Sequence, residues 1–204
     1  MSESADPAGA TTHGLALRKM TTGHRITVCA QQLTDLHGFD GFTMDELAEA
    51  AGVSRRTLFN YFPGKLDAVL GNMPDVDEEV LAEFTRGGPE GNLIDDLCSI
   101  LVHMVSTKEF TRDEAEVARR IVKANHRLMA AAHERFEGVA EKFAALILER
   151  EGKEFGARRA HLLISMLACL YGVALNDVLA NEDRELELDV AFVEALTTLR
   201  DLLA

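Results

Sequence analysis

The densest group of side chains able to do chemistry in the 204 residues is Arg55-Arg56-Thr57, followed closely by Phe59, Asn60 and Tyr61. Their chemistry is recognition. An arginine donates bidentately to O6 and N7 of guanine, an asparagine pairs with N6 and N7 of adenine, and a threonine methyl can meet a thymine methyl. Thr43, Tyr61 and Lys65 flank this run and carry donors suited to phosphate oxygens, Thr43 and Lys65 doing so at helix starts. Ser54, at the start of the run, belongs to the same expected DNA surface.

A pair of arginines by itself is usually a solvated face, so the assignment depends on the elements that hold it. Thr43-Met44-Asp45-Glu46-Leu47 reads as a helix opening: the Thr43 hydroxyl accepts the Glu46 N–H, and the Glu46 carboxylate returns to the Thr43 N–H. Phe42 and Leu47 form the matching hydrophobic staple. Gly52 can adopt the positive φ of a sharp turn, after which Ser54 caps a second helix and Val53 staples to Leu58. Leu47, Ala51, Val53, Leu58 and Phe62 point inward. Two helices of seven or eight residues joined by a glycine-containing turn make a helix-turn-helix. Ahead of it, Ile26, Cys29, Ala30, Leu33 and Leu36 mark a helix ending at His37-Gly38.

The run from Arg25 to Leu70 closely resembles the DNA-binding domain of the tetracycline-repressor (TetR) family. Two stretches carry the likeness, Gly38-Phe39-Asp40-Gly41-Phe42-Thr43-Met44-Asp45-Glu46-Leu47-Ala48 and Ala51-Gly52-Val53-Ser54-Arg55-Arg56-Thr57-Leu58-Phe59-Asn60-Tyr61-Phe62-Pro63-Gly64-Lys65. Phe59 stands where the family often has tyrosine, and Arg56 where many members have a smaller residue. The resemblance implies a three-helix head, a fourth helix leading to a ligand-binding body, and dimerisation through the last two long helices. It also implies a repressor that an inducer releases from a palindromic operator.

The rest of the chain fits that frame. Apolar residues recur at spacings of three and four almost everywhere after residue 17, with no convincing period of two, so the fold class is all-α. Residues 1–17 read as a disordered arm, 18–63 as the DNA-binding domain and 64–204 as a helical ligand-binding and dimerisation domain. Body helices are expected at about 92–106, 112–124, 126–151, 157–181 and 188–203, the second opened by a Thr111-x-x-Glu114 capping box. The net charge of −13 is uneven: residues 1–70 carry −2 and residues 71–204 carry −11. A nucleic-acid surface must therefore be local, because the acidic body repels phosphate.

Helices 157–181 and 188–203 supply the expected dimer interface: Leu163, Met166, Leu167, Leu170 and Val173 on one, Phe192, Leu196, Leu199 and Leu203 on the other. An effector pocket is expected within 92–181, with Met104, Phe110, Met129, Phe136, Phe143, Met166 and Tyr171 as apolar candidates and His103 and Asn176 as polar anchors. The effector would be a small apolar or amphiphilic molecule. Cys29, Cys98 and Cys169 lack CxxC spacing and read as small core residues in a reducing cytoplasm. The longest apolar run, Leu162 to Leu175, spans 14 residues, short of the roughly 20 a membrane helix needs. There is no GxSxG, phosphate-binding glycine loop, HExxH or Cys/His cluster, so no catalytic residue, cofactor or metal is expected. The rival reading is a helical protein-interaction module whose head does not bind DNA.

Overall fold

The three-and-four spacing is realised as helix throughout. A computed structural model describes residues 7–73, 76–106, 111–181 and 187–203. Among these residues there are ten α-helices, one 3-10 turn and no strand. The chain divides into two compact units, one holding residues up to 73 together with 117–131, the other holding 74–116 and 132–204.

The first unit contains α1 (Pro7–His37), α2 (Met44–Ala50), α3 (Arg55–Tyr61) and α4 (Lys65–Leu70). It also takes the ends of α7 (Arg112–Ala124) and α8 (His126–Glu151) that meet around residue 125. This unit is larger than the expected head at 18–63, running on through α4 and adding 117–131. Residues 7–17, expected as a disordered arm, continue α1 as helical backbone, consistent with the good helix formers Ala8, Ala10, Leu15, Ala16 and Leu17. Residues 1–6 of that arm lie outside the described residues.

Ile26, Ala30, Phe39, Phe42, Leu47, Leu58, Phe62 and Val69 form this unit's core, joined by Ile121 and Leu128. α4 is fastened to α1 by a buried polar bond, Gln31 Nε2 donating to the Val69 carbonyl at 3.0 Å, which satisfies an amide that would be costly to bury unpaired. Gly71 then ends α4 at φ 69°, where an added Cβ would stand 3.0 Å from the Thr27 methyl. Both the backbone sign and the space call for glycine.

The second unit contains α5 (Glu78–Thr85), α6 (Leu93–Ser106), the other parts of α7 and α8, the 3-10 turn Lys153–Phe155, α9 (Ala157–Ala180) and α10 (Leu188–Leu203). Its core gathers Phe84, Leu97, Ile100, Ile147, Ile164, Leu167, Val178, Phe192 and Leu196. A buried ion pair ties it together: Arg150 Nη2 lies 2.6 Å from Asp96 Oδ2, with the two side chains 5% and 0% exposed. Arg150 also stacks 4.8 Å above the Phe84 ring and donates to the carbonyls of Phe84 and Gly87. Asp96 Oδ1 accepts the Glu90 N–H. The loop between α5 and α6, which holds Gly87-Gly88-Pro89, is thereby pinned from both ends.

Candidate nucleic-acid interface

α2 opens as its sequence requires. The Glu46 N–H donates to the Thr43 hydroxyl at 3.2 Å, and the Thr43 N–H donates to the Glu46 carboxylate at 2.6 Å. The Thr43 backbone and hydroxyl donors hold the Glu46 carboxyl below its ordinary range. Gly52 makes the turn at φ 62°, and Ser54 Oγ accepts the Thr57 N–H at 3.0 Å to start α3. The second capping box, at Thr111 and Glu114, forms in the same way.

α3 packs by Leu58 and the following Phe62, both essentially inaccessible. At 100° per residue, Arg56 and Asn60 stand on the opposite side of the helix, and both are exposed. Arg56 has no ion-pair partner among the described residues. Thr57 and Tyr61 lie on one flank. The Thr57 hydroxyl is 2.7 Å from Ser54 Oγ, and the Tyr61 ring lies against Gly23 of α1, where an added Cβ would come within 3.4 Å of it. Arg55 and Phe59 occupy the other flank: the Arg55 guanidinium sits 5.6 Å over the Phe59 ring, and its Nη1 is 3.0 Å from Asp45 Oδ2 of α2. Ser54, Arg55, Arg56, Phe59 and Asn60 are all exposed, as is Thr43 at the start of α2.

Lys65 is different. Its ammonium is turned into the loop after α1, donating to the Phe39 carbonyl at 2.9 Å and to the Phe42 carbonyl. It also lies 4.2 Å from the Phe42 ring centroid and 5.5 Å from that of Phe39. The expected phosphate contact is replaced by a tether, because two carbonyls and two rings form a closer partner than solvent-facing phosphate. Lys65→Ala is expected to lower stability by about 1–3 kcal/mol, the value of charged hydrogen bonds. The salt dependence of DNA binding should keep its slope, since no phosphate contact is removed; a shallower slope in a fluorescence-anisotropy titration would restore the phosphate role.

The end of α1 and the loop after it are each held by an arginine. Arg120 donates bidentately to Asp35 at 2.9 and 2.7 Å, holding that carboxyl below its usual range. Arg127 reaches Asp40 at 2.9 Å and stacks 4.9 Å from the Phe39 ring. More than 80 residues separate each pair, so no local motif announces them. Asp35, Phe39 and Arg120, with Asn125, line an open cleft of about 180 Å³ in this unit. None of the candidate pocket residues lines it.

In the second unit, Met104, Phe136, Phe143 and Tyr171 pack half-buried against the core, and burial pushes the Tyr171 phenol up. His103 and Asn176 are exposed. Met129, also a pocket candidate, is 45% exposed and belongs to the first unit. Phe110 lies outside the described residues.

The expected dimer face needs revision. Leu167, Leu170, Phe192 and Leu196 are buried in their own protomer, with Leu163 and Leu199 packed against the same core. The four buried ones cannot also be an outer surface. Met166 is half-buried, and Val173 and Leu203 are exposed. Helical phase explains the split, since Leu162, Met166, Cys169 and Val173 recur at three and four on the side of α9 away from Leu167 and Ala174. Cys169, expected in the core, is on this exposed side, whereas Cys98 is buried, its thiol pushed up to about 11 by that burial. Cys29 is half-buried.

α9 is long and apolar enough to cross a membrane by length and composition, and 33% of its most apolar stretch is buried. Among the described residues, no group of three or more His, Cys, Asp or Glu could hold a metal ion.

Comparison with known proteins agrees with the geometry of the first unit. Residues 26–69 match the family model for bacterial regulatory proteins of the tetR family. Over 48 residues the chain is 46% identical to the putative mycofactocin biosynthesis transcriptional regulator MftR of Mycobacterium tuberculosis (strain ATCC 25618 / H37Rv), and that match spans 24% of either chain. Over 196 residues it is 26% identical to the HTH-type transcriptional regulator TcmR of Streptomyces glaucescens, spanning 92% of this chain and 87% of the other.

Proposed function

Because the chain belongs to the TetR family of bacterial regulatory proteins and is a DNA-binding transcriptional regulator, we propose that it is a cytoplasmic, homodimeric repressor whose α3 reads a palindromic operator. The observation that carries this reading is the division of α3 into an inaccessible side, Leu58 and Phe62, and an outward side, Arg56 and Asn60. Arg56 matches guanine and Asn60 matches adenine in the major groove. Arg55 and Phe59 form one wall of the reading surface, and Thr57 and Tyr61 the other. Thr43 and the start of α2 face the phosphate backbone, fixing register without carrying sequence information.

Two-fold pairing would bring two heads to successive major grooves. The exposed Leu162, Cys169 and Val173 on α9, with half-buried Met166 among them, together with Val190 and Val193 on α10, support a second copy as the occupant. A helix whose middle turns leave large apolar side chains uncovered calls for a partner. The small apolar or amphiphilic effector would bind among the helices of the second unit, near Met104, Phe136, Phe143 and Tyr171. It would act by favouring a body arrangement that separates the heads wrongly for DNA.

The test is selection of a binding site by the full chain from a random duplex pool, followed by Arg56→Ala and Asn60→Ala. Each variant is expected to lose about 1–3 kcal/mol on the selected duplex and to relax preference at one base pair per half-site. Equal losses on selected and scrambled duplexes would reject direct readout.

A further inference from the structure

We propose that Asp45 is a positioning residue for base readout, holding Arg55 in the orientation that presents one edge of its guanidinium to guanine. The proposal rests on the DNA-binding reading above and adds to it a residue that itself reads no base.

Arg55 is restrained on two sides. Its Nη1 is bonded to Asp45 Oδ2 at 3.0 Å, and its guanidinium carbon lies 5.6 Å from the Phe59 ring centroid. The carboxylate and the ring come from different helices, so both must hold their places for the guanidinium to be fixed. α2 is anchored by the Thr43–Glu46 capping box, whose members stand two residues before and one residue after Asp45. Arg55 and Phe59 are one helical turn apart on α3, itself capped by Ser54.

Only Nη1 is committed to Asp45. Nε and Nη2 have no protein acceptor among the described residues, and they form the side edge that can donate bidentately to O6 and N7 of guanine. An arginine already held in place loses less rotamer freedom when it binds, so more of its interaction appears as affinity. The charge also has a sign consequence. A carboxylate on a surface meant for phosphate is repelled by DNA, so Asp45 lowers affinity for any duplex unless it improves the matching one. A gain confined to the matching sequence is how a positioning acid differs from a misplaced charge.

Asp45→Asn keeps the size and removes the charge. With the full-length protein and a duplex chosen by the unmodified chain, Asp45→Asn is expected to weaken binding about 5- to 30-fold. Affinity for a scrambled duplex should stay the same or rise. In a double-mutant cycle, Asp45→Asn combined with Arg55→Ala should lose no more than Arg55→Ala alone, because Asp45 acts through Arg55. Additive losses would overturn the proposal. So would an equal rise on both duplexes, which reports charge alone, or an equal fall on both together with a lower melting temperature, which reports folding alone. If the unmodified chain selects no sequence, the DNA reading fails first; if it selects one and Asp45→Asn leaves the preference intact, only the positioning role fails.

Discussion

In the proposed homodimer, placing a charge on the outer side of α9 is expected to split the protein into single chains that no longer hold a palindromic operator. Leu162 and Val173 are 68% and 47% exposed in one protomer, so Leu162→Asp with Val173→Asp leaves the fold intact, which circular dichroism would check. Two-fold symmetry doubles the effect, because each interface would bury both copies of each unpaired carboxylate. Light scattering should then report a mass near 22.4 kDa in place of twice that value. Loss of the second head turns bivalent binding into monovalent binding, lowering operator affinity by about 10²- to 10⁴-fold. A variant that keeps its dimeric mass would move the interface to another surface. Charging Leu167 or Phe192 instead would unfold the chain, since those side chains fill the protomer's own core.

The second large effect concerns stability. Arg150→Met removes one member of a nearly inaccessible ion pair and strands Asp96, which typically costs about 3–5 kcal/mol. For a chain of this size that corresponds to a fall of about 6–20 °C in melting temperature. Asp96→Ala leaves Arg150 its second carboxylate, Glu151 at 3.0 Å, and should cost less. The combined replacement should cost less than the sum, because neither charge is then left alone. Some loss will remain: the carbonyls of Phe84 and Gly87 lose the guanidinium donor, and the Glu90 N–H loses Asp96. Additive thermal shifts in scanning calorimetry would show that the two charges do not support one another.

The sequence was most informative where a residue answers to its immediate neighbours. The Thr43–Glu46 and Thr111–Glu114 boxes, the Ser54 cap and the positive φ of Gly38 and Gly52 all follow from local rules, and each is found. Helix ends in the second unit consequently fall close to their expected positions. Contacts between distant positions were invisible: Lys65 reads as an ordinary helix start, and nothing near Arg120, Arg127 or Arg150 announces a carboxylate tens of residues away. The error on α9 has a different cause. Its apolar residues run around most of the circumference, so periodicity alone could not tell which side meets the core and which side is left outside. Asp45 was legible as an acid in a helix's first turn, but its guanidinium partner depends on the angle between two helices.

The first unit's use of residues 117–131 has an evolutionary consequence. The recognition end is not a self-contained cassette. A recombination joint drawn after residue 73 would leave behind Ile121 and Leu128, which complete its interior, and Arg120 and Arg127, which bracket Asp35, Phe39 and Asp40. Exchanging recognition ends between relatives would therefore require the α7–α8 corner to be inherited with them, so operator preference and the middle of the chain should diversify together.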